Sequence, residues 1–164
     1  MNLILFIILN ILSLQTTELK VSSPAFKANG FIPAKYTCEG ADVNPPLMID
    51  SLPAGTKTLA ITLEDPDAPG GTFDHWIIWN INPVKKISEN SAPGLQGKNG
   101  VGETKYKGPC PPSGIHHYIF KVFALDSELN WKTGADKNSV LQAMKGHILA
   151  QGELVGRYQK KVKK

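Results

Sequence analysis

Two proline-stiffened turns, each carrying Asp or His and each running straight into a strand-like segment, constrain this chain more than any other feature. The first is Leu63-Glu64-Asp65-Pro66-Asp67-Ala68-Pro69, followed by Asp74-His75-Trp76 and the apolar run Trp76-Ile77-Ile78-Trp79-Asn80-Ile81. The second is Gly108-Pro109-Cys110-Pro111-Pro112-Ser113-Gly114-Ile115-His116-His117-Tyr118, which leads into Tyr118-Ile119-Phe120-Lys121-Val122-Phe123. Proline fixes φ near about −65° and restricts the residue before it. Acidic and imidazole side chains held where stiff turns meet strands are presented in the way that binding and catalytic loops present theirs.

The rest of the chain is organised around similar runs. Residues 58–63, 76–81 and 118–125 are apolar or β-branched, have the length of strands and are bounded by turn residues. Gly152 to Tyr158 reads as a last strand. Val140-Leu141-Gln142-Ala143-Met144 has helical spacing, with Asp136 or Asn138 as cap and Gly146 as stop or kink. The stretch 85–107 is long, polar and glycine-rich, a kind of loop that is usually functional or mobile. No internal repeat or linker divides the chain, so residues 18–164 are expected to form one domain.

Composition narrows the function classes. With 164 residues, 41% of them hydrophobic and 20% charged, the chain can bury a core. Fifteen glycines and twelve prolines favour many turns and a β architecture. The net charge of +4 resides in Lys160, Lys161, Lys163 and Lys164; without them the basic residues equal the 14 acidic ones. A neutral body argues against nucleic-acid binding, which needs a basic face. The lysine tail suits either a solvated end or peripheral contact with anionic lipid. Residues 1–17 contain the uncharged apolar run Leu3 to Leu12, too short to span a bilayer but of the length of a secretory signal core. Export to the periplasm or the exterior is the expectation; the alternative is a cytoplasmic protein in which the run is a first buried strand or follows a mis-called start codon.

Asp65 and Asp67 are spaced so that, on a strand, both carboxylates face one cavity; as an isolated feature they are also common turn aspartates. A carboxylate beside His75 or His116 would fix the imidazole tautomer and support its charged form, leaving the other ring nitrogen to meet an anion. Gly108 would let backbone approach a ligand closely. Tyr118 lies two residues beyond His116, on the same side of a strand, and offers an O–H donor and an aromatic wall. His117 should point the other way, as a surface histidine.

These segments, with Ser23-Pro24-Ala25-Phe26, Ile32-Pro33-Ala34-Lys35-Tyr36-Thr37-Cys38-Glu39-Gly40, Asn44-Pro45-Pro46-Leu47 and Lys145-Gly146-His147 through Tyr158, resemble the phosphatidylethanolamine-binding protein family, also called the Raf kinase inhibitor protein family, in its bacterial and archaeal branch. The resemblance implies a mainly β fold: a large antiparallel sheet packed on a smaller one, with a few short peripheral helices. It implies a ligand cavity at Asp65, Asp67, His75, Gly108, His116 and Tyr118 that accepts small anions and phosphorylated head groups such as phosphorylethanolamine; no metal or other cofactor is expected, since the two cysteines have no C-x-x-C spacing. Cys38 and Cys110 lie in two of its loops, and are either bridged, as an oxidising compartment permits, or free thiols. The family's mammalian members carry a C-terminal helix beside the cavity; the lysine-rich end here departs from that pattern, which weakens the case for their gating and kinase regulation. Three functions are expected from these readings: an anion or head-group binding protein, an inhibitor of a protein kinase or protease, and a small hydrolase using the Asp and His groups. The first is preferred, because no G-x-S-x-G or H-E-x-x-H motif marks an activated nucleophile or a zinc site.

Overall fold

A computed structural model describes residues 17–161. Among the described residues, nine strands and one α-helix are arranged in the order β1 (Thr17–Glu18), β2 (Lys20–Ser22), β3 (Leu47–Asp50), β4 (Thr58–Asp65), β5 (Phe73–Ile81), β6 (Lys86–Ile87), β7 (Leu95–Gln96), β8 (His116–Leu125), α1 (Lys137–Met144) and β9 (Ile148–Tyr158). Six strands form one sheet in the order β1-β9-β8-β4-β5-β7, and three form a second, β2-β3-β6. All pairings are antiparallel except that of β1 with β9. The large-on-small β architecture is therefore present. The leader expected over 1–17 lies outside the described residues, except that Thr17 opens β1.

The apolar pattern explains the layering. β4, Thr-Leu-Ala-Ile-Thr-Leu-Glu-Asp, is buried at every position because it is central in its sheet and covered on both faces. Leu59, Ile61 and Leu63 point into a core between the sheets with Leu47, Ile49, Trp76, Phe120 and Val122. Ala60 faces the opposite way, into a smaller cluster of Ile77, Trp79, Phe123, Leu125, Val140 and Met144. Each such large apolar side chain, fully buried, contributes about 1.5–3 kcal/mol.

The second cluster is roofed by α1. Asp136 caps the helix by accepting from the Ser139 N–H at 2.9 Å. Val140 and Met144, four residues apart, face the sheet. Gly146 ends the helix at φ 82°, which a side chain would resist. An ionic cluster fastens its first turn to the sheet: Lys137 Nζ lies 2.5 Å from Asp74 Oδ1 and 3.6 Å from Glu64 Oε1, and Lys121 Nζ donates to Glu64 Oε2 at 2.9 Å.

The stretch 85–107, expected as a loop, is ordered, first as an edge of the small sheet and then along the edge of the large one. It supplies β6 and β7, and further on the Gly97, Gly100 and Lys107 N–H groups donate to the Ile77, Asp74 and His75 carbonyls. The glycines there serve close packing. A Cβ on Gly94 would collide with the Trp79 carbonyl oxygen, and one on Gly100 would strike the Phe73 ring.

A register shift in β5 decides where one of the histidines points. Leu63 pairs with Trp76 but Glu64 pairs with Asp74, so His75 is an extra residue bulged out of β5. A bulge re-aims the side chain it carries. Strict alternation would send His75 to the face opposite Trp76. The bulge instead brings it edge-on to Tyr118, whose ring belongs to the same core as Trp76.

Candidate functional site

Three adjacent strands bring the expected residues to one end of the large sheet. Asp65 is the last residue of β4, His116 the first of β8, and His75 lies near the start of β5. Asp65 Oδ2 is 2.8 Å from His116 Nδ1, with both side chains buried. A carboxylate can only accept here, so Nδ1 carries the hydrogen and the tautomer is set. The other Asp65 oxygen accepts the Asp67 N–H at 2.9 Å, closing the Asp-Pro-Asp turn.

That turn separates the two aspartates. β4 ends at Asp65, so the alternation expected to carry Asp67 onto the same side has already stopped. Asp67 lies at the rim, its side chain 41% exposed against 5% for Asp65. Its Oδ2 accepts from both the N–H and Nδ1 of His117, at 2.8 and 2.7 Å. These bonds to His117 hold the Asp67 carboxyl below its ordinary pKa. His117 points away from the core, as alternation predicts, but it is not idle, since it is the partner of Asp67.

His75 is buried, and its Nδ1 lies 2.7 Å from the Lys107 carbonyl oxygen. A carbonyl cannot donate, so Nδ1 bears the hydrogen. Burial pushes the His75 pKa down, outweighing the bond to Lys107 and the nearby Asp65 charge, both of which raise it. The ring is therefore neutral further into the acid range than free imidazole, and Nε2 carries a lone pair. The sequence expectation that His75 would be a cation facing an anion does not fit this environment. Lys107 had no signal in the sequence, because only its carbonyl is used.

Tyr118 is fully buried, and burial, followed by the Asp65 charge, pushes its phenol pKa well up. It stays an O–H donor. The hydroxyl lies beside Asp65 and the Cys110 backbone but makes a well-formed hydrogen bond to neither.

Gly108 fits against protein. Its N–H donates to Asp42 Oδ1 at 2.6 Å, and a Cβ would collide with the Tyr36 carbonyl oxygen. Its missing side chain thus lets residues 106–110 lie on the 36–42 loop, which is a different close approach from the one expected. Asp42, at φ 55°, is the partner that sequence reasoning did not single out. Cys38 and Cys110 are joined by a disulfide between these same two loops, with Cα atoms 5.5 Å apart. The Cys38 N–H also donates to the Pro109 carbonyl at 3.1 Å.

Two further features bear on chemistry. Among the described residues, no group of three or more His, Cys, Asp or Glu is arranged to hold a metal ion. A separate cavity of about 250 Å³ opens beside β7, lined by Asp42, Asn44, Trp76, Gln96, Lys105 and Tyr106 among others. It shares none of the six expected site residues.

The comparisons agree with this fold. A family model described as phosphatidylethanolamine-binding protein matches residues 22–159. A UPF0098 protein of Pyrococcus horikoshii is 53% identical over 155 residues, covering 88% of this chain and 78% of the relative. One from Methanothermobacter thermautotrophicus is 41% identical over 150 residues, 87% and 99% of the two chains. Among solved structures, a phosphatidylethanolamine-binding protein homologue from Chlamydia trachomatis superposes with a TM-score of 0.85 at 39% identity, covering 88% of this chain and 99% of that one. E. coli YbcL, described as a new member of the mammalian family, superposes with 0.81 at 29% identity, covering 88% and 100%. With the family model spanning β3 to β9 and the strand ends that carry Asp65, His75 and His116, the chain belongs to the phosphatidylethanolamine-binding protein family.

Proposed function

We propose that the chain is a binding protein whose ligand site is the strand-end cluster of Asp65, His75, His116 and Tyr118, with Asp67 on its rim and the Gly108 loop as its wall, and that its ligand is a small phosphorylated head group. The observation that carries this reading is the buried Tyr118 hydroxyl, which makes no well-formed hydrogen bond among the described residues, beside a buried Asp–His pair. A buried polar group is costly to leave unsatisfied, and a site that takes a polar ligand explains it.

The hydrogen-bond inventory narrows the ligand. Tyr118 offers a donor, and His75 Nε2 offers an acceptor, since its Nδ1 hydrogen is committed to Lys107. A matching ligand presents both an acceptor and a donor. A phosphate monoester does so when singly protonated, and phosphorylethanolamine adds an ammonium group. The second phosphate pKa is about 6, so calorimetric titration of phosphorylethanolamine should give tighter binding near about pH 5.5 than near about pH 8. Equal affinity at both, or tighter binding in base, would sink this assignment.

A hydrolytic reading has one observation in its favour, the two Asp–His pairs, whose geometry resembles that of a general base with its orienting carboxylate. A panel of phosphoesters and carboxylic esters discriminates: turnover by the wild-type protein that disappears on His116→Ala would move the site from binding to catalysis. Inhibition of a kinase or protease is a further proposal that the family resemblance alone supports. Export is proposed on the apolar run Leu3 to Leu12 and on the disulfide, which suits an oxidising compartment. Recovery of the protein in the cytoplasmic fraction with its leader intact would refute export.

A further inference from the structure

We infer that the Cys38–Cys110 bridge is a redox latch on the strand-end site, holding the 108–115 loop in place and releasing it when a dithiol reduces the bridge. This inference rests on the site assignment proposed above.

The two loops joined by the bridge are not equally secured. The 34–42 side is tied down in several ways. Thr37, Gly40 and Ala41 N–H groups donate to Ala34, Thr37 and Lys35 carbonyls. Glu39, next to Cys38, accepts from the Tyr158 hydroxyl and from the Lys161 N–H. The 108–115 side is not. Its ends are held, at Lys107 by His75, at Gly108 by Asp42 Oδ1, and at His116 by Asp65 and β9. Between them Pro109, Pro111 and Pro112 have no N–H to donate. Among the described residues, 111–114 make no backbone–backbone hydrogen bond outside the strands. The bridge at Cys110 and the Cys38-to-Pro109 hydrogen bond fasten the middle of this loop to the better-anchored one.

The fastening point touches the site. The Cys110 backbone lies beside the Tyr118 hydroxyl, and the loop runs directly into His116. The bridge is also reachable. Both cysteines are solvent-exposed, and exposed disulfides are the ones that exchange with external thiols. In that exchange a thiolate of the dithiol attacks one sulfur, the Cys38–Cys110 bond breaks, and a mixed disulfide forms. The second thiol then displaces the protein sulfur. Two electrons and two protons pass to the protein, which ends with two thiols, while the dithiol ends as its own disulfide.

The test uses the intact protein in three states: oxidised, reduced with dithiothreitol, and reoxidised. Phosphorylethanolamine titration should show at least a roughly tenfold loss of affinity on reduction, a difference of about 1.4 kcal/mol, restored on reoxidation. Hydrogen exchange should rise on reduction in 108–115 and not in 34–42. A Cys38→Ser/Cys110→Ser variant should match the reduced protein in both measurements. Unchanged affinity on reduction overturns the latch, as does an unchanged exchange pattern or a titration finding two free thiols in the oxidised protein. If the oxidised protein fails to bind phosphorylethanolamine, the site assignment fails, and the exchange arm still decides whether the bridge holds the loop.

Discussion

Asp65 and Asp67 are two residues apart, and each binds the Nδ1 of a histidine, yet they do different work. The Asp65–His116 pair is buried under the strand ends, and neither partner has an alternative in water. The Asp67–His117 pair sits on the rim, nearly half exposed. The pairs share one chemistry and differ in solvation. Exposed ion pairs contribute little because water serves both partners almost as well, whereas a buried group that loses its partner keeps the full desolvation cost. The inner pair should therefore govern both stability and ligand affinity, and the outer pair mainly the shape of the turn.

The largest effect tests the inner pair. His116→Ala leaves the Asp65 carboxylate buried with one oxygen unpartnered. It should cost about 1–3 kcal/mol of stability and abolish head-group binding. For a domain of this size that is a fall of roughly 2–12 °C in Tm. Thermal melts and calorimetry on the same variant measure both. A folded variant with unchanged affinity removes His116 from the site. A double-mutant cycle with Asp65→Ala should show strong coupling, because the two side chains are in direct contact.

The split between the pairs explains what was legible in the sequence. Strand-length apolar runs located β4, β5 and β8, since a sheet buried on both faces leaves long apolar stretches. Helical spacing over 140–144, with Asp136 or Asn138 as cap and Gly146 as stop, located α1, and the cap that forms is Asp136. Two things were hidden. The bulge at His75 depends on how β5 pairs with β4, and pairing register is a property of two strands together. The divergence of Asp65 and Asp67 depends on where β4 stops, and element ends are settled by tertiary hydrogen bonds such as those from His117. The order in 85–107 was hidden for a similar reason. Its polar residues predict a loop, but its backbone N–H groups find the free edge of β5.

A middle-sized effect concerns His75 and pH. Its folded-state pKa is depressed by burial below the ordinary 6.5. As pH falls through that value the unfolded chain takes up the proton first. The unfolded state then binds more protons, so stability declines with falling pH until the folded-state pKa is passed. Above the ordinary value this contribution to stability is fully present. His75→Gln keeps a donor for the Lys107 carbonyl but does not titrate. The wild type should lose stability more steeply than this variant as pH falls below the ordinary value of about 6.5 in urea titrations. Parallel pH profiles would show that His75 is not held neutral, and would remove the acceptor assigned to its Nε2.

The smallest effect belongs to the outer pair. Asp67→Ala removes two acceptor contacts to His117 from a side chain that is 41% exposed. Screening by solvent limits the loss to about 0.2–1 kcal/mol. The sign of its pH dependence is opposite to that of His75 in origin but not in direction. The Asp67 carboxyl is held below its ordinary 3.8 by the hydrogen bonds to His117, so its contribution is present above that value and fades as pH falls through the folded-state pKa. Head-group affinity should fall only modestly in this variant, because Asp65, His75, His116 and Tyr118 keep their places. The comparison breaks if Asp67→Ala weakens binding as severely as His116→Ala does. That result would mean the rim carboxylate leaves His117 and turns to the ligand, and the outer pair would then be part of the recognition machinery rather than the brace of the Asp-Pro-Asp turn.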